Sequence, residues 1–256
     1  MSSPKNVHDR IPFHFHALGN AFSGTFHRPF AHVIPAQAAT SLPSIGGHAS
    51  ARVEDFRAHH FVSFKAGHTH TSGSWLDEKR VVTIVTATLE GLNILNFITA
   101  DRVVARLTSE GRHGQKETEI IALGSEFENL RIGGHPVKVT LHHDLFLKNP
   151  THADLTKAVA TLKKSGRIVA TQDGAILCSL VEKIETTLPG VEIKGHILRI
   201  PHFGEIALAE VFAVPGTRTL TMIRLNLGCP DSGQAAGPEV LSQGQPLPPM
   251  PPPPNS

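Results

Sequence analysis

From residue 41 to residue 146, apolar and polar side chains alternate in short runs separated by Gly, Asn, Asp and Ser. Alternation with period two places one face of a strand against a core and the other in water. Residues 49–56 alternate, with Ala51, Val53 and Phe56 as the apolar members, and Phe61-Val62-Ser63-Phe64 follows. Residues 81–89 read Val-Val-Thr-Ile-Val-Thr-Ala-Thr-Leu, the β-branched composition that suits a pleated surface. Further strands are predicted at 92–98, 102–107, 117–123 and 137–141.

The rhythm changes at Asn149-Pro150-Thr151. Thr151 is a suitable N-cap, Asp154 falls in the first turn, and Leu155, Val159 and Leu162 lie on one helical face. Lys163, Lys164 and Gly166 close the segment as the helix dipole and a C-cap favour. Strands resume at 167–170, 175–184, 191–200, 206–214 and 219–227, with turns at Pro189-Gly190 and Pro215-Gly216. The pattern predicts a mainly β fold, either an antiparallel β-sandwich or an irregular β-solenoid, with one short helix near 151–165.

Three regions are expected. Residues 1–40 form a His/Phe-rich N-terminal arm in which Phe13-His14-Phe15-His16 alternates. Its Phe side chains need burial on the parent domain or on a neighbouring subunit. Residues 41–229 form a β-rich domain, divisible into halves at 41–148 and 166–229. Residues 230–256 are rich in Gly, Gln, Ser and Pro and end Pro-Leu-Pro-Pro-Met-Pro-Pro-Pro-Pro-Asn-Ser. Such a composition predicts a disordered, polyproline-like tail.

Composition narrows the function classes. The net charge is only +2, too weak a field for nucleic acid. Tyr is absent and Trp75 is the single tryptophan, so stacking platforms for sugars or single-stranded nucleic acid are poorly supplied. Cys178 and Cys229 lack zinc-type spacing, and Cys178 sits in an apolar run that predicts a buried, inert thiol. No apolar run has signal-peptide length or approaches the roughly 18 residues of a membrane helix. The expectation is no transmembrane segment and, by default, a cytoplasmic protein.

Histidine occurs 17 times. Ile45-Gly46-Gly47-His48, Ile132-Gly133-Gly134-His135 and Ile193-Lys194-Gly195-His196 repeat an Ile-x-Gly-His motif ahead of predicted strands. The structural reading is a corner: glycine permits a sharp bend, Ile anchors the core, and His points outward. The sharper reading brings two or three of His48, His135 and His196 to one metal. His68 and His70, two apart in Gly67-His68-Thr69-His70, project to one face of a strand, as a transition metal such as Zn would require. His14 and His16 share that spacing. His142-His143-Asp144 looks like a fragment of an HD-type hydrolase site but ends a strand pattern, and His59-His60 reads as solvated surface. No nucleophile elbow, Ser-x-x-Lys, His-Glu-x-x-His, P-loop or dinucleotide fingerprint is present.

Three segments carry a family resemblance: Ile176-Leu177-Cys178-Ser179-Leu180-Val181-Glu182-Lys183-Ile184, Ile200-Pro201-His202-Phe203-Gly204-Glu205-Ile206 and Leu220-Thr221-Met222-Ile223-Arg224-Leu225-Asn226-Leu227-Gly228. With residues 91–106 they resemble bacterial proteins grouped as the choice-of-anchor P family. The resemblance implies a β-rich bacterial protein, often envelope-associated, and carries over no activity or catalytic residue. The expected function is therefore non-catalytic, structural and self-assembling, as a homo-oligomer without a cofactor, the arm adding a strand to a neighbour's sheet. The alternatives are a His-rich metal-binding protein or metal-dependent enzyme, and a β module for a small apolar ligand.

Overall fold

The computed structural model describes residues 13–27, 31–112, 115, 117–164, 168–227 and 233–246. In chain order the first strands are β1 (Phe13–Asn20), β2 (Phe22–Phe26), β3 (His32–Gln37) and β4 (Thr40–Ser41). Next come four long strands, β5 (Gly47–Ala58), β6 (Val62–Trp75), β7 (Arg80–Ile94) and β8 (Ile98–Arg112). Short strands β9 (Glu119–Ile121), β10 (Glu126–Glu128) and β11 (Arg131–Ile132) precede β12 (His135–Leu141), α1 (Asp144–Lys148) and α2 (His152–Lys164). The remainder is β13 (Ile168–Gln172), β14 (Ala175–Ser179), β15 (Val181–Thr186), β16 (Glu192–Lys194), β17 (Ile197–Ile200), β18 (Gly204–Val214), β19 (Thr217–Leu227) and β20 (Gly233–Pro246).

These strands form an antiparallel two-sheet sandwich, so the solenoid alternative falls away. The eleven-stranded sheet runs β13-β14-β18-β19-β20-β1-β4, extended by β2, β3, β16 and β17. The nine-stranded sheet runs β15-β12-β11-β8-β7-β6-β5, with β9 and β10 also on β8. One continuous apolar core lies between them, so residues 41–148 and 166–229 are not separate halves. Phe26 stacks on Phe61 with centroids 4.6 Å apart, and the buried hydroxyls of Ser242 and Ser109 meet at 3.0 Å across the core.

Two expectations at the chain's ends are corrected. Phe13–Asn20 is no free arm: it pairs along its length with β20, and Phe15, Phe22 and Phe26 are buried in their own domain. Residues 233–246 are no exposed tail. They form a central strand between β19 on one side and β1 and β2 on the other. Its buried positions are small, such as Ala235 and Gly237, because the neighbours come close: a Cβ added at Gly237 would lie 2.4 Å from the carbonyl oxygen of Ala21. Residues 247–256, Cys229 and the expected C-cap Gly166 lie outside the described residues.

The helix predicted at 151–165 is α2. The Thr151 hydroxyl accepts from the Asp154 amide at 3.1 Å and donates to the Asp154 carboxylate at 2.6 Å, a local capping pair. A buried cation ties this region down. Arg218 on β19 donates to the carbonyls of Ile120 at 2.5 Å, Asn149 at 2.8 Å and Thr151 at 3.1 Å, and sits 4.2 Å above the Phe146 ring. Burial pushes its pKa down to about 10.

Strand boundaries differ from expectation in instructive places. The stretch 175–184 was expected as one strand but crosses between the sheets at Leu180, whose amide bonds Ala209 at 3.0 Å. The stretch 191–200 is a hairpin turning at Gly195, which has a φ of 61°. The runs expected at 81–89 and 92–98 belong to one strand, β7, and the start of β8, joined by a turn at Leu95 and Asn96 with φ of 54° and 51°.

Each sheet is crossed by a crease at which inward and outward positions exchange. In β19 the least exposed side chains are Arg218, Leu220 and Met222, then Ile223 and Leu225. In β18 the fully buried ones are Ile206 and Leu208, then Val211 and Ala213, with Ala209 between at a φ of 47°. Leu208 still pairs with Ile223, and Glu210 with Thr221. Each strand thus takes one extra residue on the same line, so the faces swap while the register holds. The line continues through Gly237-Pro238 of β20 to Ala21, between β1 and β2. The nine-stranded sheet repeats the device at Asp55 (φ 49°), Lys65, Gly91 (φ 64°) and Asp101. The creases face each other across the core, where a Cβ at Gly67 would approach that of Ala21 to 3.0 Å.

Candidate functional site

The most buried titratable cluster lies on the crease of the eleven-stranded sheet. There β18 changes partner, pairing with β17 up to Ala207 and with β14 from Glu210. His196, just before β17, fills the gap and accepts the Leu208 amide on its carbonyl at 3.1 Å. Its Nε2 lies 3.1 Å from Glu210 Oε1, and both side chains are buried. With a carboxylate opposite, Nε2 is the nitrogen that carries the hydrogen. Arg224, on the far side of the crease, donates through Nε to Glu210 Oε2 at 2.5 Å and through Nη2 to Oε1 at 2.7 Å.

Burial alone would raise the Glu210 pKa. The hydrogen bonds from His196 and Arg224 and the charge of Arg224 outweigh that effect and hold the carboxyl down to about 2. Neighbouring bonds complete the knot. Ser179 donates to the carbonyls of Leu208 and Ala209 at 2.9 and 3.0 Å and accepts from the Val181 amide at 3.0 Å. Thr221 donates to Glu239 at 2.9 Å. A carboxylate so fully engaged serves to clamp strands together rather than to accept a proton or attack a substrate. Cys178 is buried beside this cluster, and desolvation pushes its thiol up to about 12, as an inert core cysteine requires.

The five histidines singled out from the sequence separate. His48, His68 and His70 share the outer face of β5 and β6: His48 pairs with Ser72, His70 with Ser50, and His68 with Arg52. His135 opens β12 with Nδ1 3.1 Å from the Thr187 hydroxyl. His196 belongs to the buried cluster. Among the described residues no three His, Cys, Asp or Glu side chains gather closely enough to hold a metal. The three repeated motifs are indeed corners, with positive φ at Gly46, Gly47, Gly133, Gly134 and Gly195. Their side chains follow no common rule. Ile132 is buried, Ile45 and Ile193 are exposed, and His196 is buried against the Glu210 carboxylate.

Asp144 opens the short helix α1 directly after the strand that His142 and His143 follow. His59 and His60 are exposed, yet their rings pack about Phe61 with centroids 6.2 and 4.4 Å away. Glu210 and Arg224 drew no notice in the sequence. A carboxylate flanked by Ala-Leu-Ala and Val-Phe-Ala in an otherwise apolar strand was the available signal.

Residues 13–167 and 160–214 match the model of a family described as a domain of unknown function (DUF8256). These segments cover most of the chain, which belongs to this family. No curated protein and no solved structure matches it. Among the described residues no helix is long and apolar enough to cross a membrane.

Proposed function

We infer that this is a non-catalytic structural protein that associates with a second copy of itself, face to face, through the outside of the eleven-stranded sheet. One observation carries the reading. The register aligns Leu177 on β14, Phe212 on β18, Thr219 on β19, Leu241 on β20 and Leu18 on β1 in a single outward-facing row. Phe212 is 47% exposed and Leu18 37%. Four strand spacings make the row about 19 Å long. Contiguous apolar surface of this kind marks an interaction site, whereas scattered exposed apolar residues do not.

The polar residues beside the row favour a second copy as the occupant. A twofold axis along the row lays it on itself and exchanges the rows that flank it. His16 then meets Asn20 of the other copy, polar against polar, while Ala175, Val214 and Thr217 cover positions whose own side chains, Ser179, Glu210 and Thr221, are buried in their sheet, with strands aligned as in packed sheets. Edge pairing is less favoured. The edge strand β5 carries the Arg52–Glu54 ion pair and a kink at Asp55, features that deter strand addition. The N-terminal strand is occupied by its own sheet.

The test is the solution mass by light scattering after size exclusion. Wild type is expected as a dimer and Phe212→Asp as a monomer. Ile45→Asp, at a site 89% exposed and off the row, should leave the dimer intact. A wild-type monomer at all concentrations would overturn the reading.

A further inference from the structure

We propose that the outer face of the nine-stranded sheet holds a binding site for a small oxyanion, a phosphate or sulfate group, in the hollow spanned by β5, β6 and β7. The hollow has a volume of about 470 Å³ and is lined by the side chains of Ser50, Arg52, His68, His70, Thr86 and Thr88. Pairing sets these groups in two parallel rows across the strands. One is Ser50–His70–Thr86 and the other Arg52–His68–Thr88. Members of a row stand about 5 Å apart and the rows about 7 Å apart, within reach of one tetrahedral anion.

The chemistry of the lining is that of donors. Hydroxyls, imidazole N–H groups and a guanidinium can all point hydrogens at the same oxygens, and the guanidinium supplies charge. Arg106 extends the first row beyond Thr86 and is exposed, adding a second cation at its end. The next row contributes Glu54 and Glu90, with Arg102 beyond them on β8. Arg102 is bonded to Glu126 at 2.8 Å. Glu54 accepts a hydrogen bond from Arg52, so it is the carboxylate that competes with an incoming anion for the site's cation.

That competition gives the site a signature distinct from generic attraction. Relieving it should strengthen binding, although Glu54 does not line the hollow. The experiment titrates the full chain with inorganic phosphate, and separately with inorganic sulfate, at constant ionic strength and pH. Binding is followed by the NMR signals of His68, His70, Thr86 and Thr88. Saturable shifts with a millimolar Kd are expected for at least one of the anions. Arg52→Gln should weaken binding by about threefold to tenfold, and Glu54→Gln should tighten it by a similar factor. Both positions are exposed, and the dispersion of the remaining signals reports that each variant is folded. Signals unmoved by either anion, or a Glu54→Gln variant that binds no better than wild type, would overturn the proposal.

Discussion

The creases of the two sheets make the same backbone move and complete it with different chemistry. In the nine-stranded sheet the line runs through Asp55, Lys65, Gly91 and Asp101, all exposed, and water solvates whatever the ladder leaves open. In the eleven-stranded sheet it runs under β14 and β17 as they converge on β18, through Ala209 and Met222, both fully buried. There the His196 carbonyl, the Ser179 hydroxyl and the Leu180 amide take up the backbone groups of Leu208 and Ala209, and Glu210 joins His196 to Arg224 beside them. A pleat reversal at an open surface needs only residues that tolerate positive φ. At a buried junction it also needs a satisfied polar network, and that network becomes the weak point of the fold when it is broken.

The sharpest way to break the contrast is Glu210→Ala. It leaves a buried imidazole without its acceptor and frees the guanidinium of Arg224, which is 45% exposed and can turn to water, so the expected loss is about 2–4 kcal/mol in urea unfolding. Acid should reach the same group more gently. The folded pKa of Glu210 lies near 2, below the ordinary 4.5. Its contribution is therefore complete above pH 4.5 and fades as pH falls toward 2, by at most about 3 kcal/mol. Unfolding midpoints measured across that window should show a slope that Glu210→Gln flattens. The exposed crease should respond less. Gly91→Val forces a branched side chain into φ 64° with its Cβ 3.0 Å from that of Lys65, and should lower stability by about 1–3 kcal/mol. Asp55→Gly, on the same line, should stay within about 0.5 kcal/mol of wild type. Equal costs at the two creases would remove the distinction.

Period-two alternation located most of the strands, because burial of one sheet face leaves that imprint wherever the face is large and apolar. The cap at Thr151 and the buried Cys178 were legible for equally local reasons. What escaped was decided by neighbours distant in sequence. The residues of β20 look too polar and too rich in Gly, Gln and Pro to fold, but a strand held on both sides needs backbone pairing and small inward side chains more than bulk. The creases escaped because each appears in one strand as a mere slip of phase and becomes a feature only when several strands slip on one line. His196 carried the same motif as His48 and His135, and only the unforeseen Glu210 across the gap sets it apart.

The pairing of Phe13 with Pro246 has a bearing on how the molecule comes into being. The middle of its larger sheet is built from the two extremes of the described chain, so that sheet cannot close before Gly233–Pro246 has been made. Until Gly233–Pro246 arrives, β19 and β1 each present an unpaired ladder, and contacts so remote in sequence are slow to form. Newly made chains should therefore pass through an interval of heightened dependence on chaperones, ended only by insertion of β20.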